Sequence, residues 1–199
     1  MSAAPGVMLP GRLAQARLRG LGQRFVHIAQ TRMAGLPIVH PGLSVALEGF
    51  REQAWAVGSS PASQQALGCT GVLITPWTMS LLRLPLSLSC EVLPLGHKGV
   101  RRVGQGAAAQ VFDFIGGSEE GLGPFEMCSL FSPMTDFADQ AAAVATARAV
   151  MDALFVAALP PATEPVPAVT AQAAAAAPDA PPDVSPQPAR RWFLRGGVA

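Results

Sequence analysis

Gly71-Val72-Leu73-Ile74-Thr75-Pro76-Trp77-Thr78-Met79 is an apolar run stopped by a hydroxyl residue and a proline, then reopened by Trp77 and Met79. Cys128-Ser129-Leu130-Phe131-Ser132-Pro133-Met134 repeats the design. Proline lacks a backbone donor and pushes its predecessor toward extended geometry. Each cassette therefore reads as a buried strand that ends at a fixed bend.

Outward from the first cassette, Leu67 to Thr75 and Met79 to Leu86 read as two strands flanking the Thr75-Pro76-Trp77 corner. Upstream, Leu43 to Phe50 alternates as a strand, and Ser59 to Gln65 reads as a long hairpin loop carrying Pro61. Downstream, the basic, glycine-bearing stretch Gly96 to Gly106 reads as loop. Gln110 to Ile115 reads as a strand, Gly116 to Pro124 as an acidic turn, and Phe125 to Phe131 as the last strand.

Helical patterns flank these strands. Leu18, Leu21, Phe25 and Ile28 share one face of a helix over Arg12 to Met33, which Gly35 and Pro37 stop. A second helix runs from Phe137 to Phe155, with Asp136 as its expected N-cap. Short strands in series between two helices predict an α+β fold: an antiparallel sheet of about five strands with both helices on one face.

The cassettes and their neighbours resemble the HybE-type nickel–iron hydrogenase assembly chaperones. The resemblance runs in order through Thr31-Arg32-Met33-Ala34-Gly35-Leu36-Pro37 and His40-Pro41-Gly42-Leu43, where the family more often has Asn before the proline. It continues through both cassettes, Gly116 to Pro124 and the second helix, and closes on Arg190-Arg191-Trp192-Phe193-Leu194-Arg195-Gly196. The resemblance implies a two-layer α/β sandwich similar to the small type III secretion chaperones. It also implies a cytoplasmic accessory protein that binds hydrogenase precursor subunits before export, with other maturation proteins as further partners. Some members of the family carry a fused rubredoxin with Cys-x-x-Cys pairs; this sequence has none, so no iron site is carried over.

Composition narrows the alternatives. Half the residues are apolar and 14% are charged, which excludes global disorder. The net charge of +1 hides an asymmetry. Residues 1–47 carry Arg12, Arg17, Arg19, Arg24 and Arg32 and no acid, whereas residues 103–189 carry ten acids against Arg148 alone. The basic helix is either a solvated face or a docking face for an acidic partner. A single lysine and the lack of a basic stripe interleaved with aromatics argue against nucleic acid. No export signal is visible, and Ala141 to Leu159, interrupted by Arg148 and Asp152, reads as a helix that does not insert in a membrane.

Enzymatic chemistry finds no constellation. His27, His40 and His97 share no ligand spacing, and Arg101-Arg102-Val103-Gly104-Gln105-Gly106 lacks a phosphate-loop lysine. Cys69, Cys90 and Cys128 read as structural thiols, and Glu119-Glu120 as a solvated turn. The chain is expected to be no enzyme and to need no cofactor or metal. Trp77, Met79 and Met134 are the expected client-binding residues, because Trp and Met bind apolar segments tolerantly. A secretion-chaperone-like module for an unrelated client is the alternative.

Domain boundaries follow from composition. Residues 1–10 form a short disordered lead and 11–159 the chaperone-like domain. Residues 160–189, with nine prolines, form a Pro/Ala-rich disordered linker. Residues 190–199 form a basic-aromatic motif. Its Arg190-Arg191-Trp192-Phe193 core resembles a twin-arginine export signal but stands after the domain. Two readings stand: an anchor that docks back or frays, or a mimic occupying a signal-peptide groove until a client displaces it. In the second, Arg190, Arg191 and Phe193 are regulatory contacts, and a flexible tether makes weak self-binding sufficient.

Overall fold

The computed structural model describes residues 11–56, 65–87 and 89–155. The expected lead, linker and terminal motif, with Arg190, Arg191 and Phe193, lie outside them. Helix α1 spans Arg12–Gln30 and α2 spans Gln140–Phe155. Between them run β1 (Ala46–Ala56), β2 (Gln65–Ile74), β3 (Met79–Pro85), β4 (Lys98–Val103), β5 (Gln110–Glu119) and β6 (Gly123–Phe131). The strands form one antiparallel sheet of order β1-β2-β3-β6-β5-β4. Two three-stranded meanders thus meet at a central seam, β3 against β6, with Met79 opposite Phe131 and Arg83 opposite Glu126.

The α+β class and the antiparallel sheet with terminal helices packed against it are as the sequence implies. The helices, however, divide between the two faces of the sheet instead of sharing one. Val72, Ile74, Met79, Leu81, Phe112 and Phe114 pack with Ala143, Ala147, Met151 and Leu154 of α2. The alternate residues Leu73, Leu82, Leu84 and Phe125 pack with Leu21, Phe25 and Ile28 of α1. The doublets Val72-Leu73 and Leu81-Leu82 explain this. Side chains of a strand alternate in direction, so adjacent apolar residues make both faces hydrophobic and each needs a cover. Every residue of β3 is buried.

Six strands replace the expected five, because Lys98–Val103, expected as loop, is β4. Its exposure alternates, as in an edge strand wetted on one side. The turn expected over Gly116 to Pro124 shrinks to the link between β5 and β6, which stay paired as far as Glu119 and Gly123. In α2 the cap is Asp139, not Asp136: Asp139 Oδ1 accepts the Ala142 amide at 2.8 Å. Phe137 precedes the helix but still packs in the core beneath it.

One bulge brings α2 close. The β1–β2 register shifts between Glu48 and Arg51, and Gly49 takes φ +64° there. A Cβ at Gly49 would lie 2.6 Å from Met151 Cγ, so glycine serves both the turn and the helix contact.

Candidate functional site

The two proline cassettes, whose prolines Pro76 and Pro133 are 57 residues apart in sequence, meet in space because β3 pairs with β6. The first corner is closed by its own threonines. Thr75 N donates to Thr78 O at 2.9 Å, Thr75 Oγ1 donates to the same carbonyl at 2.8 Å, and Thr78 N donates to Thr75 Oγ1 at 3.0 Å. Proline between them fits a turn whose second residue needs a fixed φ and no donor. Thr78 Oγ1 then reaches across the seam to Phe131 O at 3.1 Å, just before the cis Ser132–Pro133 bond. A threonine at 78 therefore joins one cassette to the other.

A third signature segment docks on the same corner. His40 N donates to Pro76 O at 2.8 Å. His40 Nδ1 accepts the Gly42 amide at 3.1 Å. An asparagine side chain forms the same bond to the amide two residues on, so a histidine ring nitrogen here does the work of an Asn carbonyl.

Trp77 is half-buried on this corner, packed against the α1-side core. Met79 and Met134 are fully buried in the α2-side core. They support the corner from within and present no surface in this conformation. The segment tied to the corner through the His40 amide exposes Leu36 and Ile38. Trp77, Leu36 and Ile38 are thus large apolar side chains with surface left open in this region.

A second constellation escaped the sequence reading. Arg83 of β3 and Glu126 of β6 face each other across the seam in a buried ion pair. Arg101 of β4 joins it, with Nη2 2.7 Å and Nε 3.1 Å from Glu126 Oε1, and Nε 3.1 Å from Oε2. The Leu93 amide adds a bond to Oε1 at 2.9 Å. Glu126 is 0% exposed. Burial pushes its carboxyl up, but the Arg101 hydrogen bonds, the Arg83 charge and the Leu93 amide outweigh this and hold it below the ordinary glutamate value. Arg83 also lies 3.9 Å over the Trp55 ring. Gly68 makes room for that ring, since a Cβ there would overlap it.

Arg83, Arg101 and Trp55 of this cluster line a cleft of about 670 Å³. Gln53 and Trp55 of β1 and Arg101 and Arg102 of β4 line it, so the curled sheet brings its two edge strands to one opening. Two donors in the wall are buried without an acceptor among the described residues: Trp55 Nε1 and Gln53 Nε2. Each such group costs about 1–3 kcal/mol unless it is satisfied. The signal was present in the sequence: Arg83 inside Leu81-Leu82-Arg83-Leu84 and Glu126 inside Phe125-Glu126-Met127 are opposite charges in the middle of two apolar strands.

Other expectations resolve more simply. Glu119, read as solvated, is taken by the basic helix side: Arg24 Nη2 lies 2.9 Å and Arg32 Nη2 2.5 Å from its carboxylate. Part of the basic face thus docks on the chain's own acidic turn. His27 and His97 are exposed, and no group of three or more His, Cys, Asp or Glu gathers as for a metal among the described residues. Burial pushes the Cys69 thiol up to about 12, with a further rise from Glu52, and burial also raises Cys128. Neither thiol is activated as a nucleophile. No helix among the described residues is long and apolar enough to cross a membrane.

The chain is 42% identical over 158 residues to Protein HoxT of Cupriavidus necator, covering 75% of this chain and 83% of that protein. It is 37% identical over 139 residues to the hydrogenase expression/formation protein HupT of Azotobacter chroococcum, covering 70% and 83%. It is 32% identical over 154 residues to a probable rubredoxin, HupJ, of Rhodobacter capsulatus, but spans only 49% of that protein. No solved structure matches. Residues 16–196 match the family described as NiFe-hydrogenase assembly, chaperone, HybE. On that match and those relatives, the chain belongs to the HybE family of NiFe-hydrogenase assembly chaperones.

Proposed function

We propose that this chaperone binds a precursor subunit of nickel–iron hydrogenase in the cytoplasm and holds it back from export until assembly is complete. The observation that carries this reading is the family match over residues 16–196, together with relatives named for hydrogenase expression and formation. The client is the small subunit, through its twin-arginine signal, or the immature large subunit. Binding works by difference: affinity for the immature state, and little for the mature one, shifts the population without nucleotide hydrolysis.

The corner is the proposed contact surface. Trp77, with Leu36 and Ile38 of the segment tied to the corner through His40, supplies apolar area of the kind that dominates interface energetics. Met79 and Met134 hold the corner rigid from below. Arg190, Arg191 and Phe193 are proposed as the competing tail, which an incoming signal peptide displaces.

Co-expression of the tagged full chain with the precursor subunits, followed by capture and mass spectrometry, tests this. Unprocessed subunit should be retained by the natural chain and lost from a folded Trp77→Ala, Leu36→Asp, Ile38→Asp variant. Retention by both chains would keep the function and remove the corner from it. No retention of either subunit would sink the client reading. Removal of 188–199 should raise signal-peptide affinity; an unchanged affinity would eliminate the competing tail.

A further inference from the structure

The cleft between the two sheet edges has donors and positive charge in excess of what the protein itself uses. Glu126 accepts from Arg83, Arg101 and the Leu93 amide, so its two oxygens are saturated. Arg83 donates to it through Nη1 alone and gives Nε and Nη2 to no acceptor among the described residues. Trp55 Nε1 and Gln53 Nε2 are likewise unmatched. Arg83 and Arg101 pair with Glu126, while Arg102, bonded among the described residues only to the Gly106 carbonyl, and Glu91 also line the opening: three guanidinium charges against two carboxylates in and around it. Arg83 is 8% exposed and shares its one counter-charge, Glu126, with Arg101, so the guanidinium pair is only half neutralised.

We propose that this cleft is a binding site for a carboxylate group, received by the free edge of the Arg83 guanidinium and by the Trp55 indole N–H. Arg101 and Glu126 are positioning residues: their bonds hold Arg83 across the seam, while the Trp55 ring supports its flat face. The site stands whether or not the client is a hydrogenase subunit.

A carboxylate fits better than phosphate. One excess positive charge matches one negative charge, whereas a dianion would confront Glu91 and Glu126 with an uncompensated charge. A planar fork of N–H groups also matches a planar acceptor pair. Burial lowers the Arg83 pKa, the Glu126 charge opposes that and Arg101 adds to it; a bound anion would relieve the strain on the charged form. The cleft, at about 670 Å³, is far larger than a carboxylate alone. The group therefore arrives on a larger body, either as an Asp or Glu side chain of a peptide or as a free organic acid.

The test follows the Trp55 indole and Arg83 Nε–H resonances of the full chain at constant ionic strength. The probes are sodium acetate, acetyl-Ala-Glu-Ala-amide, its Gln counterpart and sodium chloride. Both resonances should shift saturably with acetate and with the Glu peptide. The Gln peptide and chloride should leave them unmoved, and the Trp77 indole should stay still throughout. Trp55→Phe keeps the ring and removes the donor, and Arg83→Lys keeps the charge and removes the fork. Each should weaken binding by roughly three- to tenfold. Trp55→Phe alone decides if Arg83→Lys does not fold. Tighter binding of the Glu peptide than acetate assigns the carboxylate to a peptide side chain; equal binding assigns it to a free acid. No saturable shift with either carboxylate up to about 100 mM, well beyond the millimolar range of weak sites, would overturn the proposal.

Discussion

Glu119 and Glu126 lie on the two strands of one hairpin, and each is held by two arginines, yet they do different physical work. Glu119 faces α1 near the surface, where Arg32 is 57% exposed and Arg24 26%. Glu126 faces the opposite side of the sheet and is shut away from water, with Arg83 nearly so. The surface cluster ties a helix to a turn and keeps contact with the solvent, chiefly through Arg32. The interior cluster ties β3, β4 and β6 together, and of its members only Arg101, 28% exposed, reaches the solvent to any extent. Equal numbers of ion pairs therefore carry unequal consequences, because water sets what a missing partner costs.

The comparison can be broken most directly at its buried end. Glu126→Gln leaves two guanidinium groups without their carboxylate, and should destabilise the fold by about 3–5 kcal/mol. Urea unfolding of the variant should show the loss as a lower midpoint. A loss under about 1 kcal/mol would mean that water already reaches the cluster.

Acid sharpens the contrast next. Both glutamates sit below the ordinary carboxyl value: burial raises each, and their arginines more than reverse it. A depressed folded pKa gives stability that is fully present above the unfolded value of about 4.3 and lost as pH falls through the folded one. Stability measured from pH 6 downward should therefore fall along a limb that Glu126→Gln flattens strongly and Glu119→Gln only slightly. The smallest effect belongs to Glu119→Gln itself. It should cost no more than about 1 kcal/mol, and salt should erase most of that while leaving the Glu126 contribution in place.

How far the sequence disclosed this architecture depends on what kind of signal each element carries. β2, β3 and β6 were legible because apolar runs closed by proline admit one local reading. The α1 stripe was legible for the same reason, as Leu21, Phe25 and Ile28 are all buried. β4 was hidden, because Lys98-Gly99-Val100-Arg101-Arg102-Val103 has the composition of a loop. Only the ladder with β5, and Arg101 reaching Glu126, make it a strand. The side on which each helix packs was also hidden. Doublets such as Leu81-Leu82 show that both faces are apolar but not which helix covers which. At the corner, the sequence points to Trp77, Met79 and Met134 alike as client contacts but does not show that Trp77 is half-buried while Met79 and Met134 are shut inside. The ion cluster was missed because its members come from three strands, and no local pattern links Arg83, Arg101 and Glu126.

The central seam has a consequence for the order in which the chain is made. β3 and β6 are neighbours in the sheet, but the β3–β6 register joins Arg83 to Glu126, 43 residues later. During synthesis the first meander emerges with β3 as an open, largely apolar edge, and its partner has yet to be translated. Arg83, in the middle of that edge, is a charge placed where another chain would otherwise pair, so the same residue that later closes the seam guards it while it waits.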